Sequence, residues 1–481
     1  MTMKGFIVRN PVSVLSPDEL ERVHGAMLEV LRETGVVFEH PKALDVLADA
    51  GCRVDREKML VKFPPYLVED SLRRCPSRVT LKARNPKYDV DIGGNRMYFC
   101  PWVAMNLYDA DTGERRAPRE EDVLQAATVL DYLDEVHVYG FGNFANVDES
   151  VAPGLCAYPW GMAFNLRHTE KALFGAAILG IEPWIVEMFQ AAGVRPGMLV
   201  SGAPPLTWPG HQLLVVFAAA EADFPIMPFC GMAAGSNSPA TLAGTLVQNY
   251  AEMSAMITLA QSLKPGMEVL AGDYSQLMGM REAVVVQGGP EAALLDAAWS
   301  QIWRRHDIPR TGFNTRTDAK VIDYQGAAEK TLTLLLSVLS GSNKIYFHGG
   351  VYDELLASPV AAVMDNDVAK MVMRIVEGIK VTEDTLAVDV IDKVGPMPGH
   401  FLSEKHTREW WMKEQLLPEV ADRSSYERWL AEGKKDFLAR AKDRCAEIAK
   451  THEVPPLPDD VDRELEKIYR SAKKTIQSWG L

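Results

Sequence analysis

From about Arg96 onward, short apolar runs alternate with longer stretches whose apolar residues recur at helical spacing. The runs are Met97–Trp102, His137–Asn143, Ala172–Leu179, Met198–Ala203, Pro225–Met232, Glu268–Asp273, Pro309–Phe313 and Lys344–His348. Between them lie helix starts, marked by proline, acidic or capping residues, at Pro118-Arg119-Glu120-Glu121, Glu182-Pro183, Thr207–Pro209, Ser238-Pro239, Pro290-Glu291 and Asp323. Roughly eight strand–helix units over about 250 residues predict an α/β chain folded as a (β/α)8 barrel. The rival is a doubly wound open sheet, but its GxGxxG turn is missing. Gly140-Phe141-Gly142-Asn143 is only a fragment of that signal.

The flanks follow a different pattern. Residues 1–96 read as an N-terminal cap: Ser16 and Pro17 open a helix that stops at Gly35, followed by short helices over Pro41–Ala50 and Pro64–Arg74. The barrel is expected over 97–360 and a helical, increasingly charged C-terminal extension over 361–481. Its last helix, Val461–Ser478, places Leu465, Ile468, Tyr469, Ala472 and Ile476 on one face, for packing on the barrel or for oligomerisation.

Composition narrows the partners. The 481 residues are 47% hydrophobic, enough for a large core, and the net charge of -14 argues against nucleic acid or an anionic membrane. Six scattered cysteines without a CxxC pair read as reduced thiols of a cytoplasmic protein. No secretory leader and no bilayer-spanning run are visible. HExxH, paired-thiolate, GxSxG and P-loop signatures are missing too, so metal or serine hydrolysis has no support and no metal is expected.

In a barrel, chemistry gathers where strands end. Those positions hold Trp102 and Asn106, Asn143 and Asn146, Pro204, Pro205 and Trp208, Cys230 and Gly231, Asp273 and Tyr274, Asn314 and Arg316, and His348 before Gly349-Gly350. Aromatic rings dominate and cations are few, which suits a small ligand with a quaternary ammonium head. The alternative is that Trp102, Trp208 and Tyr274 are ordinary core aromatics. Arg316 at a strand end can grip a carboxylate bidentately, or pair with Asp318 or Asp273. His348, before Gly349-Gly350, reads as a ligand-contacting or proton-handling group, the alternative being a satisfied core histidine. Asp318 and Lys320 read as a charge pair at a helix start and Asp323 as an N-cap. Gln248 and Glu252, four apart on one helix over Pro239–Leu263, read as a solvated or structurally hydrogen-bonded face.

Several ordered passages carry a family resemblance: LSPDELERVHGAMLEVLRETGVVFEHPKAL, SPATLAGTLVQNYAEMSAMITLAQSLKPGMEV, TDAKVIDYQGAAEKTLTLLL, MDNDVAKMV and GHFLSEKHTREWWMKEQLLPEVADR. Together they make the chain resemble the trimethylamine methyltransferase superfamily of corrinoid-dependent enzymes along almost its whole length. The resemblance implies a (β/α)8 barrel that binds a methylated amine in its mouth. It also implies that the corrinoid (cobalamin) is carried by a separate cognate protein whose Co(I) takes the methyl group. The trimethylamine branch is known for pyrrolysine; this sequence has only standard residues and resembles the non-pyrrolysine branch, whose members demethylate quaternary amines such as glycine betaine. Carried over, Arg316 and His348 match the general placement of a substrate-contacting Arg and His late in the barrel; with the strand-end residues, the expected substrate-binding set is Trp102, Asn146, Trp208, Tyr274, Arg316 and His348, and a homo-oligomer is expected. A demethylase or lyase using another acceptor such as tetrahydrofolate, and a betaine-binding protein without turnover, share the same pocket.

Overall fold

A computed structural model describes residues 3, 5–102, 104–140, 147–352 and 355–479. Its centre is a run of eight parallel strands: β1 (Arg96–Pro101), β2 (Val138–Tyr139), β3 (Ala172–Gly175), β4 (Gly197–Gly202), β5 (Ile226–Ala234), β6 (Ala271–Gly279), β7 (Arg310–Gly312) and β8 (Lys344–His348). They lie in the order β1-β8-β7-β6-β5-β4-β3-β2. The sheet curls so far that His137 N, just before β2, donates to Phe99 O of β1 at 3.0 Å. Every apolar run expected to be a strand contributes one. The helices between and after them are α1 (Glu120–Tyr132), α2 (Ala157–His168), α3 (Glu182–Ala191), α4 (Gly210–Ala222), α5 (Leu242–Leu263), α6 (Pro290–Arg305), α7 (Tyr324–Leu339) and α8 (Pro359–Glu377).

Successive strand side chains point to opposite faces, and here both faces are covered. On β1 and β8 one set (Met97, Phe99, Ile345 and Phe347) meets Leu334, Val338 and Ala369 of the surrounding helices. The other set (Tyr98, Cys100 and Tyr346) continues to Trp102 and joins Phe174, Met227, Tyr274 and Phe313 in an inner cluster to which no helix contributes. The hairpin Arg78–Leu81/Val90–Gly93 covers the amino ends of the strands. Asn85 N donates to Glu170 O (3.3 Å), Lys82 N to Arg195 O (2.9 Å) and Thr80 N to Glu268 Oε2 (3.0 Å), each acceptor lying just ahead of a strand. Only the carboxyl ends are left for a ligand.

Around this centre, the helix Pro17–Glu29 starts with the expected capping box: Ser16 Oγ accepts from Glu19 N, and the Glu19 carboxylate accepts from Ser16 N. It runs into a π-helical turn, Val30–Thr34, and ends at Gly35, whose φ of 83° suits glycine. This helix and the helix Pro65–Arg74 lie on α5. The last helix, Asp459–Ser478, lies on α2 and α3 with Leu465, Ile468, Ala472 and Ile476 buried, as their spacing predicts; Tyr469 is half-buried. All six cysteines are buried and free. No helix of the described residues is long and apolar enough to cross a membrane.

A lysine lies within the inner cluster. Lys344 of β8 is 0% exposed, with Nζ 3.7 Å from the Tyr346 ring centroid and 4.1 Å from that of Phe174. Burial pulls its amine down to about 8, against the raising effect of Cys100. That shift costs about 3 kcal/mol at neutral pH, of which the ring contacts return up to about 2 kcal/mol. Below about pH 8 the amine is protonated in both folded and unfolded chains and the penalty is complete; between about 8 and 10.5 the unfolded chain holds more protons, so stability rises with pH. Lys344→Met is therefore expected to raise the urea midpoint at pH 7, by about 1 kcal/mol, with a smaller gain at pH 9.5. Equal gains at both pH values would remove the titration argument.

Candidate active site

The rings expected at the strand ends separate into two sets. Trp102, Tyr274 and Arg316 come together on the inner side. The Arg316 guanidinium carbon lies 4.0 Å from the Tyr274 ring centroid and 5.3 Å from that of Trp102, and the residue is 1% exposed. Its Nη2 donates to Asn314 Oδ1 at 3.3 Å. Behind these, Phe313 stacks on Tyr346 (centroids 4.7 Å apart, 16° between planes), and Trp102 leans on Tyr346 at 5.1 Å. Phe229 and Tyr274 each lie 5.5 Å from Phe313. The result is a box of ring faces, whose negative quadrupoles favour a cation.

Two polar atoms turn into this environment without a hydrogen-bond partner among the described residues: Trp102 Nε1 and Gln276 Oε1. Leaving a buried donor or acceptor unpaired costs about 1–3 kcal/mol, so such atoms mark places where a ligand can supply the missing partner. Gln276 follows Tyr274 by two on β6 and shares its face, whereas Asp273 and Ser275 point to the helices. Among the aromatic and polar residues at the strand ends, Gln276, Phe229 and Phe313 were not anticipated. Strand alternation from Tyr274 is the signal that finds Gln276.

Trp208 and His348 do not join the box. Trp208 is completely buried in the layer between sheet and helices, where Nε1 donates to Glu252 O of α5 at 3.1 Å, and its short strand pairs with Val37–Phe38. It is a core aromatic. His348 follows a register shift between Tyr346 and His348, and its ring lies on Phe99 (5.7 Å) and Phe347 (5.5 Å), which face the helices. Burial, reinforced by the nearby Lys330, holds its imidazole well below the ordinary histidine range. Both ring nitrogens lack a hydrogen-bond partner among the described residues. A neutral, buried ring in that position is poorly suited to handle protons for the box. Asn143 and Asn146 lie outside the described residues.

Asp273 and Asp318, the carboxylates weighed as partners of Arg316, make other contacts. Asp273 pairs with Arg310 at 2.8 Å, and Arg310 also reaches Asp296 at 2.7 Å. The Asp318 carboxylate accepts from Gln287 N (3.1 Å) and Gly288 N (3.0 Å), while Lys320 Nζ donates to the Asp318 backbone oxygen and lies 4.1 Å from the Tyr352 ring centroid. Asp318 and Lys320 are thus not a side-chain charge pair. Asp323 caps α7, its Oδ1 accepting from Gly326 N. Gln248 and Glu252 are bonded to each other at 3.0 Å, and Glu252 also accepts from Leu206 N, a structural anchor for the loop after β4.

A curled parallel sheet with a box of aromatic rings and Arg316 towards its carboxyl ends defines the α/β protein and its candidate site. The chain matches the family described as trimethylamine methyltransferase (MTTB) over residues 2–476, and it belongs to that family. Similar proteins include a trimethylamine methyltransferase, MttB, of Desulfitobacterium hafniense strain DCB-2, 32% identical over 95% of this chain and 93% of its own length. A glycine betaine methyltransferase of Desulfitobacterium hafniense strain Y51 is 30% identical over 96% of this chain and 98% of its own length. Among solved structures, the monomethylamine methyltransferase MtmB of Methanosarcina barkeri superposes with a TM-score of 0.56 at 12% identity, covering 99% of this chain and 90% of that one, a likeness of fold.

Proposed function

We propose that this methyltransferase moves a methyl group from a carboxylated quaternary amine, a betaine such as glycine betaine, to a corrinoid carried by a separate protein in the cytoplasm. In this reading the curled sheet is a closed (β/α)8 barrel over 97–360, flanked by the N-terminal region 1–96 and the C-terminal region 361–481. The observation that carries it is the position of the Arg316 guanidinium over the Tyr274 and Trp102 rings. Ring faces for a permanent cation and a guanidinium for a carboxylate then stand in one box, matching the two groups a betaine carries and trimethylamine lacks.

The chain's own residues bind and orient. On binding, the betaine carboxylate draws the guanidinium towards itself and accepts a hydrogen bond from Trp102 Nε1–H, and the N-methyl groups settle on the ring faces. Among the described residues the box holds no activated nucleophile. Cys100, the thiol of the inner cluster, is pushed up to about 11 by burial and stays protonated, so it offers no thiolate to a methyl group. The acceptor fits an external source, and the corrinoid supplies it as reduced cobalt. No general acid is required, because a quaternary amine leaves as a neutral tertiary amine. The residues have to hold one N-methyl in line and keep water away.

An anaerobic assay with Co(I)-cobalamin and a panel of betaines and methylamines tests the reading. Methylation of the cobalt with a betaine and not with trimethylamine is expected. Methyl transfer to tetrahydrofolate instead, or betaine binding without transfer, would replace it. Within the same panel, Trp102→Phe keeps a ring and removes the N–H. It is expected to weaken betaine binding by about 1.5–3 kcal/mol, tenfold or more in Kd, and to leave tetramethylammonium binding within about twofold. Unchanged betaine affinity would take Nε1 out of the carboxylate grip.

A further inference from the structure

Arg316 follows β7 and Trp102 follows β1, and at both residues the chain has left helix and strand. A segment without a hydrogen-bond ladder takes its shape from side-chain contacts. After Arg316 those contacts converge on Glu329 of α7. Its Oε2 accepts from Thr317 Oγ1 at 2.6 Å and from Asp318 N at 2.8 Å, the two residues that follow the arginine. Before Arg316, Thr315 Oγ1 donates to Tyr346 O, and Asn314 Nδ2 donates to Ala292 O at 3.1 Å. Glu329 has little room to swing away, since a Cβ at Gly288 would collide with its Oε2.

The next residue, Lys330, holds the other loop. Its Nζ donates to Gly350 O at 2.9 Å and to Asp365 Oδ2 of α8 at 2.6 Å, and that oxygen also accepts from Gly349 N at 2.8 Å. Gly349, with a φ of 88°, makes the sharp turn after β8. Directly before the turn, His348 O accepts from Trp102 N at 3.0 Å. Lys330 and Asp365 are each 7% exposed. A buried ion pair is costly, and two apolar residues of similar volume would hold α7 against α8 as well. They would not bond Gly349 N and Gly350 O.

We propose that Glu329, Lys330 and Asp365 are positioning residues for the substrate: successive residues of α7 set the spacing between the Arg316 guanidinium and the Trp102 indole N–H. The proposal rests on the betaine reading, in which those two groups grip one carboxylate. Two donors on separate loops meet one carboxylate only while the loops keep their spacing, and a misplacement of about 1 Å costs a large factor. Tetramethylammonium uses ring faces alone, whose attraction for a cation is far less directional.

Calorimetric titration of the full chain with glycine betaine and with tetramethylammonium tests this. Glu329→Ala is expected to weaken betaine binding about tenfold and tetramethylammonium binding by less than about twofold. Glu329→Gln keeps an acceptor oxygen for Thr317 and Asp318 and should stay within about threefold of the parent. In an Arg316→Ala background, Glu329→Ala should cost betaine less than about twofold, because it acts through a guanidinium that is gone. Lys330→Met/Asp365→Asn, changed together so that no charge is stranded, should cost betaine about tenfold alone and less than about twofold beside Trp102→Phe. Equal losses for both ligands, or losses that simply add in the combined variants, make these residues structural and overturn the proposal. If Glu329→Ala fails to fold, Thr317→Val, which removes the hydroxyl bonded to Glu329, takes its place. A betaine-selective loss that vanishes beside Arg316→Ala supports the proposal, and no loss overturns it. Betaine affinity unchanged by both Arg316→Ala and Trp102→Phe overturns the betaine reading itself. Selective losses in those two, with none in Glu329→Ala and Lys330→Met/Asp365→Asn, overturn the positioning alone.

Discussion

Arg316→Ala is expected to lower kcat/KM for glycine betaine about 100-fold, corresponding to about 3 kcal/mol. Turnover or binding of a quaternary amine without a carboxylate should change less than about threefold. The asymmetry follows from where the guanidinium sits. It lies over the Tyr274 ring at 4.0 Å, so it occupies a face that a cationic head would use. For a ligand with no carboxylate, removing Arg316 frees a ring face and relieves like-charge repulsion, which offsets any loss of packing. A betaine loses a charge-assisted, two-pronged contact in a site that is 1% exposed at Arg316, where such contacts are strong. Arg316→Lys keeps the charge but not the planar fork, and should recover only part of the activity. Equal losses for betaine and tetramethylammonium would make Arg316 a structural residue and sink the carboxylate grip.

The eight strands were legible because each is an apolar run, and parallel strands covered on both faces have no polar face to dilute the signal. For the same reason the sequence was silent on which residues of a run face inward. Trp208 and His348 were both expected in the pocket on position alone. Trp208 is held in the helix layer by pairing between Thr207–Trp208 and Val37–Phe38, a contact across most of the N-terminal half that no local pattern announces. His348 would follow Tyr346 inward by strict alternation; the register shift between them turns it outward instead. Gln276 was missed for a related reason. The sixth apolar run stops at Asp273, but β6 continues to Gly279: Tyr274, Ser275 and Gln276 pair with β5, and Leu277–Gly279 pair with Val284–Val286. Trp102 and Arg316 lie together with Tyr274 on the inner side; the first two follow a run where the chain leaves the sheet, whereas Tyr274 lies within β6.

Arg310→Met should be the most destabilising single change near the site. Arg310 is 1% exposed and bridges Asp273 and Asp296, both 0% exposed, while its Nη1 donates to Ser300 Oγ and Ser342 Oγ. Forming this cluster need not stabilise the fold much, since all three charges had to leave water. Breaking it is another matter, because two carboxylates then remain buried without a cation; the expected loss is about 3–5 kcal/mol. Burial already holds the Asp273 carboxyl well above the ordinary aspartate range, with Arg310 opposing it. Without Arg310 that opposition vanishes, and the folded chain binds protons more tightly than the unfolded one. Stability of the variant must then rise as pH falls towards the ordinary aspartate range, so its deficit against the parent in urea unfolding should be smaller at pH 5.5 than at pH 8. Adding Asp296→Asn removes one of the stranded charges and should recover part of the loss. Because Asp273 directly precedes Tyr274 on β6, the variant should also lose betaine affinity at temperatures where it is still folded. A deficit independent of pH, or unrelieved by Asp296→Asn, would mean that the cluster acts through packing and not through charge.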